Sequence, residues 1–409
     1  MRQPLTVCDV VQTYSPISGG VKSYVNDKRA FVAGREDLRQ ILVIPGEKSS
    51  RHTEERTTTY HIASPRLPGS KSYRLLINKA AVDRIVARDK PDVIEVSDAY
   101  QPAWFALWAG GNLDIPVVGF YHSDYPRSYG RDLERGLGSD TLGGVVTDAI
   151  EGYLASLYNK MAATITSTKL FESRLRDMGV ERVVRVPLGC DTDVFRPLDS
   201  RAKVLDRLGL PLGTYLLLFV GRFAPMKNIS ALLAMMEEFG EGERPVHLVL
   251  TGDGEDAEVV RRAAESRDDI TWIPYASDRE ELVEVYSAAD LFCNPGTHET
   301  FGLVSVEAQS CGTRVLGVKD GGMGETLEGE ESLIEADAPE AKALADAVRR
   351  IRALGEGEES RRLRRERMKR RFSLQRNFRR LFRLYDHVRR RESVERFPTP
   401  EQDESLPEV

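Results

Sequence analysis

"DLFCNPGTHETFGLVSVEAQSCG", residues 290–312, is the stretch on which the fold turns. A short apolar run closes on Asn-Pro-Gly, a polar loop follows, and an apolar helical pattern then runs to Gly312. That succession predicts strand, loop and helix, the repeating unit of parallel α/β sheets. It also places two glutamates eight positions apart, Glu299 in the loop at the strand's carboxyl end and Glu307 about one turn inside the helix. Packing gives no reason for the pair. A carboxylate in an apolar helical stretch is costly to bury without donors, and the vicinal hydroxyls of a sugar would supply them. The plain alternative makes Glu307 a solvent-facing helix residue and Glu299 an acid favoured by the helix dipole. The amides of Thr300, Phe301, Gly302 and Leu303 form the first turn, where helical amides have no intrahelical acceptor.

The same rhythm extends both ways along the chain. "LTVCDVV", "QILVIP", "DVIEVSD", "IPVVGFYHSD", "ATITST" and "VVRVPLG" predict strands in the first half, with helices over Ser70–Ala87 and Leu142–Ala163. A second series starts with "YLLLFVGRF" and continues through "VHLVLTGDG", "ITWIPY", "DLFCNPG" and "TRVLGV". Two Rossmann-like α/β domains facing across a cleft are expected, over residues 1–192 and 193–373. The Pro- and Gly-punctuated stretch after Gly189 marks the break. Residues 46–70 are polar and predict a surface excursion, and the Pro- and acid-rich residues 392–409 predict a disordered tail.

At 409 residues with 41% apolar content the chain is long enough for two cores. No apolar run reaches the ~20 residues of a membrane span, and "MRQPLTVCDVV" does not resemble a leader. Cys8, Cys190, Cys293 and Cys311 show neither CxxC spacing nor a disulfide framework, so a cytoplasmic setting is expected. The six histidines suggest no zinc cluster. Net charge is −6, yet residues 361–391 alone carry +13. No nucleic-acid partner is expected.

Three further segments carry chemistry. In "SPISGGVKSYV", Gly19 and Gly20 permit a tight turn into a helix whose amides point at a ligand, with Lys22 adding positive charge. The spacing is not GxGxxG, which disfavours a nicotinamide enzyme. In "FVGRFAPMKN", Arg222 and Lys227 leave the carboxyl end of an apolar strand, where open α/β sheets bind ligands, and could grip a diphosphate from two directions. "LTGDGED" brings Gly252 and Gly254 to another such end, and "GFYHSDYP" does the same for His122. The plain alternatives are surface charges, ordinary βα turns and a structural histidine.

Taken together, "SGGV", "VGRF…K", "GDG" and the E-x7-E element around "FG" resemble the family-4 (GT4) retaining glycosyltransferases of GT-B fold, over nearly the whole chain. The resemblance implies a nucleotide-diphosphate sugar, UDP- or GDP-linked, as donor of a hexosyl unit to a hydroxyl acceptor, either a small molecule or a lipid. It gives Arg222 and Lys227 the diphosphate, Glu307 the ribose hydroxyls, and Glu299 and the Thr300–Leu303 amides the donor sugar. Gly19 and Gly20 approach phosphate or acceptor, and His122 faces the sugar. It also implies front-face substitution with retention, with no metal or cofactor required. A GT-B-fold nucleotide-sugar epimerase and a non-catalytic nucleotide-sugar-binding module are the alternatives.

The sequence departs from the family pattern at Thr300, at Thr313-Arg314, at Leu188-Gly189 and in "GGMGE". The C-terminal segment 374–391 forms an amphipathic helix, with Leu374, Phe378, Leu381, Phe382, Tyr385 and Val388 on one face. In similar enzymes such a helix completes the first domain. The charge beside it makes peripheral contact with an anionic membrane the second expectation.

Overall fold

The computed structural model describes residues 3–404 apart from 15–18, 69–72, 129–139, 241–244, 275–278, 298, 328, 330–331 and 335–338. The chain divides into two units, residues 1–187 with 375–409, and residues 188–374.

The first unit is built on an eight-stranded sheet in the order β3-β4-β2-β1-β5-β6-β7-β8. Its strands are β1 (Leu5–Val10), β2 (Leu38–Gly46), β3 (Ser50–Glu54), β4 (Thr57–Ala63), β5 (Val93–Val96), β6 (Val117–Phe120), β7 (Ala163–Thr166) and β8 (Val183–Arg185). All pair in parallel except β3, which runs antiparallel to β4. Helices α1 (Gly20–Ala33), α2 (Lys79–Asp89), α3 (Gln101–Leu113), α4 (Asp140–Tyr158) and α5 (Lys169–Asp177) connect the strands.

The second unit has a six-stranded parallel sheet in the order β11-β10-β9-β12-β13-β14. It comprises β9 (Tyr215–Val220), β10 (Val246–Thr251), β11 (Ile270–Ile273), β12 (Leu291–Asn294), β13 (Arg314–Val318) and β14 (Leu333–Ile334). Its helices are α6 (Arg201–Arg207), α7 (Ile229–Met235), α8 (Ala257–Ser266), α9 (Arg279–Ala288), α10 (Leu303–Ser310), α11 (Ala341–Ala353) and α12 (Glu358–Phe372). β9 is buried throughout, as a strand covered on both faces must be. Leu217 and Phe219 feed one core cluster while Leu216 and Leu218 feed the other. From β9 the chain builds outward to β10 and β11, then returns to lay β12 on the opposite side. The carboxyl ends of β9 and β12 therefore form the switch point where such sheets leave a crevice.

Helix α13 (Leu374–Arg389) leaves the second unit and completes the first. Leu374, Phe378, Leu381, Phe382, Tyr385 and Val388 are all buried. Phe378 and Phe382 lie on Phe31 of α1 with ring centroids 5.4 and 5.5 Å away. Beneath them sits a buried charged cluster. Asp9 and Glu95 stand side by side on β1 and β5, and two adjacent buried carboxylates demand compensation. Lys28 of α1 provides it, its Nζ lying 2.6 Å from Asp9 Oδ1 and 3.1 Å from Glu95 Oε1. The same ammonium donates to the Tyr385 hydroxyl at 2.6 Å, and that hydroxyl donates to Glu95. Tyr24 donates to Glu95 Oε1 at 2.9 Å and Gln40 to Asp9 Oδ2 at 2.7 Å.

Three expectations need correction. The surface excursion expected over residues 46–70 holds two strands of the sheet: β3, exposed along its whole length, pairs at the edge with β4, which buries Thr57, Thr59, Tyr60 and Ile62. β-Branched threonine suits a pleated, half-buried strand although it counts as polar. Of the helix expected over Ser70–Ala87, residues 70–72 lie outside the described residues, and from residue 73 on the helix begins at Lys79, where the Asn78 side chain accepts from the Ala81 amide. Residues 392–404 are ordered rather than a disordered tail, while 405–409 lie outside the described residues. Helix α14 (Pro400–Glu404) is tied down by Glu401, 2.5 Å from Arg185 and 3.2 Å from Lys169, and by Asp403, which pairs with Arg380.

The basic charge of residues 361–391 also has structural work. Arg364 donates to the Gly312 carbonyl at 2.6 Å and pairs with Glu356 at 2.6 Å. Arg365 reaches the carbonyls of Phe195, Ser310 and Thr192 at 3.0–3.1 Å. Arg389 and Arg390 both pair with Asp386 at 2.5 Å. No helix among the described residues is long and apolar enough to cross a membrane.

Candidate functional site

The switch point of the second unit gathers the chemistry-bearing motifs. Beyond β9 the chain passes Gly221 and Arg222 into a single 3-10 turn, Pro225–Lys227. The TGDG turn after β10 lies directly against it. A Cβ on Gly252 would come within 1.9 Å of the Gly221 carbonyl oxygen, and one on Gly254 within 2.2 Å of that of Phe223. Both glycines have positive φ, +148° and +157°, so contact between two backbones is reason enough for them.

Lys227 and Glu299 meet. The Lys227 ammonium donates to Glu299 Oε1, and both side chains stay partly exposed, 20% and 16%. Asn294, the last residue of β12 and itself buried, donates to the same oxygen at 3.3 Å. Its Oδ1 accepts from the Gly296 amide at 3.1 Å, which fixes the amide's orientation. Arg222 leaves the same loop as Lys227, but its guanidinium pairs with Glu255 and both side chains are about half exposed. Asn294 and Glu255 were not singled out from sequence. The position of Asn294 at a strand's carboxyl end was the available signal.

The loop carrying Glu299 is held from behind. Its carbonyl accepts from the Gly322 amide at 2.7 Å, and a Cβ on Gly322 would fall 1.9 Å from the Thr300 carbonyl oxygen. Gly302 precedes α10 at φ +83°, where a side chain would also strike Met323 at 2.7 Å. Phe301 points into the core against Phe372, with centroids 5.5 Å apart. What the Thr300–Leu303 segment offers is therefore its backbone at the start of α10, where Leu303 opens the helix. Glu307, on the same helix, is partly buried and accepts from the buried Tyr286 hydroxyl at 3.1 Å. The two glutamates thus have different partners.

In the first unit, Gly19 caps α1, a Cβ there would meet open space, and Gly20 and Lys22 lie in the first turn. His122 follows β6 and stacks on Phe120, centroids 4.1 Å apart and planes 5° from parallel, with the Tyr24 ring 5.0 Å away. Burial, helped by the positive charge of Lys28, lowers its pKa to about 3, so the imidazole is neutral near pH 7. Asp98, after β5, holds the chain just beyond β1. Its Oδ2 accepts from the amides of Gln12 at 2.7 Å and Thr13 at 3.1 Å. All four cysteines are buried free thiols. Among the described residues no cluster of His, Cys, Asp or Glu is placed to hold a metal ion.

Known proteins match this arrangement. The family model described as Glycosyltransferase Family 4 matches residues 19–194, and that described as Glycosyl transferases group 1 matches residues 200–370. The chain is 27% identical over 351 residues to the GDP-mannose-dependent alpha-(1-6)-phosphatidylinositol dimannoside mannosyltransferase of Mycobacterium tuberculosis (strain ATCC 25177 / H37Ra), covering 85% of this chain and 87% of that one. It is 33% identical over 219 residues to the D-inositol 3-phosphate glycosyltransferase of Segniliparus rotundus, covering 50% and 48%. Among solved structures, sucrose-phosphate synthase from Thermosynechococcus elongatus superposes with a TM-score of 0.75 at 21% identity, over 95% of this chain and 99% of that one. Anabaena HepE in complex with UDP gives 0.69 at 15% identity, over 93% and 99%. With both family models matched in order and the two parallel sheets in place, the chain belongs to glycosyltransferase family 4 and is a glycosyltransferase of GT-B fold.

Proposed function

We propose that the chain moves a hexosyl unit from a nucleotide-diphosphate sugar to a hydroxyl acceptor with retention of anomeric configuration, GDP-mannose being the first donor to test. One observation carries the donor site: Lys227, Glu299 and Asn294 converge at the switch point between β9 and β12. Without donor, Glu299 compensates Lys227. The donor's diphosphate would take over the ammonium, joined by Arg222 released from Glu255, and Glu299 would turn to the sugar's hydroxyls. Lys227 and Arg222 then stabilise the charge that develops on the leaving diphosphate, so no metal is required for that step. EDTA is expected to leave turnover unchanged. His122, neutral, would accept or donate a hydrogen bond at the sugar.

The choice of GDP-mannose rests on relatives named GDP-mannose-dependent, which also support transfer over the epimerase alternative. An inositol-containing acceptor, free or lipid-linked, rests on the same names. The C-terminal helix no longer supports a membrane, since its apolar face is buried and several of its arginines have partners within the chain. A cytoplasmic enzyme reaching a lipid acceptor peripherally stays part of the proposal, read by co-sedimentation with anionic vesicles. The deciding experiment is a screen of UDP-, GDP- and ADP-sugars with phosphatidylinositol-type and free inositol acceptors. Glu299→Gln should chiefly lower kcat, and Glu307→Gln should chiefly raise donor KM. Reversed phenotypes, or a β-linked product from an α-linked donor, would overturn the assignment.

A further inference from the structure

The geometry points to Tyr286 as a positioning residue that holds the Glu307 carboxylate for the ribose of the donor, a role that rests on the ribose assignment of Glu307. Tyr286 lies near the end of α9, wholly buried, its ring between those of Phe195 and Phe292 with centroids 6.2 and 5.8 Å away. Its hydroxyl donates to Glu307 Oε2 at 3.1 Å. An ionised carboxylate only accepts, so the proton of this bond belongs to the phenol. Burial, reinforced by the charge of Glu307, raises the phenol's pKa well above its ordinary value, so it remains a donor.

The backbone behind this phenol is fixed from several directions. The Thr313 hydroxyl donates to the Tyr286 carbonyl at 2.6 Å. Arg361 donates to the Ser287 carbonyl at 2.8 Å, and the Ser287 hydroxyl accepts from the Leu198 amide at 3.1 Å. Thr313 is one of the positions where the sequence departs from the family pattern, and here its buried hydroxyl gives Tyr286 its anchor. The line Thr313–Tyr286–Glu307 thus joins the start of β13, the end of α9 and the middle of α10. Glu307 is only partly buried on a short helix, and a glutamate loses rotamer freedom when it binds. Anchoring one carboxylate oxygen beforehand removes part of that cost and sets the orientation of the group. The contact is the same before and during the reaction, so losing it should weaken binding without slowing the chemical step.

Tyr286→Phe removes the hydroxyl alone and keeps the ring packing. In the full chain, the donor KM and the Kd of the free nucleoside diphosphate (GDP and UDP, by calorimetry) should both rise about three- to tenfold, with kcat within about twofold. Glu307→Gln should raise the same constants, and in the background of Glu307→Ala, which leaves the phenol no carboxylate to hold, Tyr286→Phe should have little further effect. Thr313→Val, which keeps the phenol but leaves its carbonyl only the longer bond from the Ala289 amide at 3.3 Å, should shift them the same way by less. It also serves as the test if Tyr286→Phe does not fold. Unchanged KM and Kd in Tyr286→Phe beside raised values in Glu307→Gln would overturn the role of Tyr286 and leave the ribose assignment intact. If Glu307→Gln itself leaves nucleotide binding unchanged, the ribose assignment falls and the positioning role falls with it. Fully additive effects would show that the two residues act separately, which also rejects it.

Discussion

Each unit sets a lysine against glutamate at its sheet's switch point, and the two arrangements differ in almost every physical respect. Lys28 is fully buried with Asp9 and Glu95, and hydroxyl and amide groups complete the set. Lys227 and Glu299 remain partly exposed, as do Arg222 and Glu255. A buried ion cluster holds together only if its desolvation is repaid by near-complete hydrogen bonding, and then it cannot exchange partners cheaply. A pair that water still reaches has less to lose by exchange, and the half-exposed Arg222–Glu255 pair least of all. The first is suited to fixing structure and the second to receiving a ligand. The contrast is in accessibility rather than residue type.

The largest effect should come from Lys28→Met, which leaves Asp9 and Glu95 buried beside each other without a counter-charge. Loss of one partner in such a cluster typically costs ~3–5 kcal/mol, readable as a lowered urea midpoint. A midpoint unmoved from wild type would show that the cluster does not hold the first unit together. Lys227→Ala should do the converse. Turnover should fall ~10²-fold, about 3 kcal/mol at the transition state, while stability changes by less than ~1 kcal/mol. Near-normal turnover would remove Lys227 from the diphosphate site.

Glu95 offers a finer comparison through pH. Burial, only partly offset by Lys28 and reinforced by Asp9, lifts its pKa from 4.5 to about 7. Between those values the folded state keeps a proton that the unfolded chain has released. Stability from this group is therefore full below pH ~4.5 and lost as pH rises through about 7, by at most ~1.4 kcal/mol per unit. Glu95→Gln keeps an acceptor for Tyr24 and Tyr385 but cannot titrate. Unfolding measured at pH 5, 6 and 7 should show a shallower slope for the variant than for the wild type. Identical slopes would place the titration elsewhere.

The sequence made the site more legible than its supports. Arg222, Lys227, Glu299 and Glu307 stand at strand ends or in a short helix, where apolar patterning leaves a charged residue conspicuous. Their immediate partners were invisible. Glu255 looks like an ordinary turn acid, Tyr286 like one more core aromatic, and Lys28 like a solvated position on α1. Each owes its role to a residue brought near only by folding. β3 and β4 were missed for a different reason: a run of Thr, His and Glu hides a strand that buries Thr57 and Thr59 on one face and Tyr60 and Ile62 on the other. The order of residues 392–404 depends on Arg185, Lys169 and Arg380, which no local pattern connects to them.

The contribution of α13 to the first unit also bears on the order in which the molecule can be made. Lys28 and the Tyr385 hydroxyl that it meets are 357 positions apart, so a ribosome delivers the whole of the second unit before the two can bond. Until then the nascent first unit presents Phe31 and Tyr24 without the aromatic cover of Phe378 and Phe382, and one hydrogen bond of its interior ammonium is unmade. The second unit is drawn from one continuous segment, residues 188–374, and suffers no such delay. Although domains usually mature from the amino terminus during translation, here the half that emerges first is the half that finishes last, with an apolar face that needs shielding while it waits.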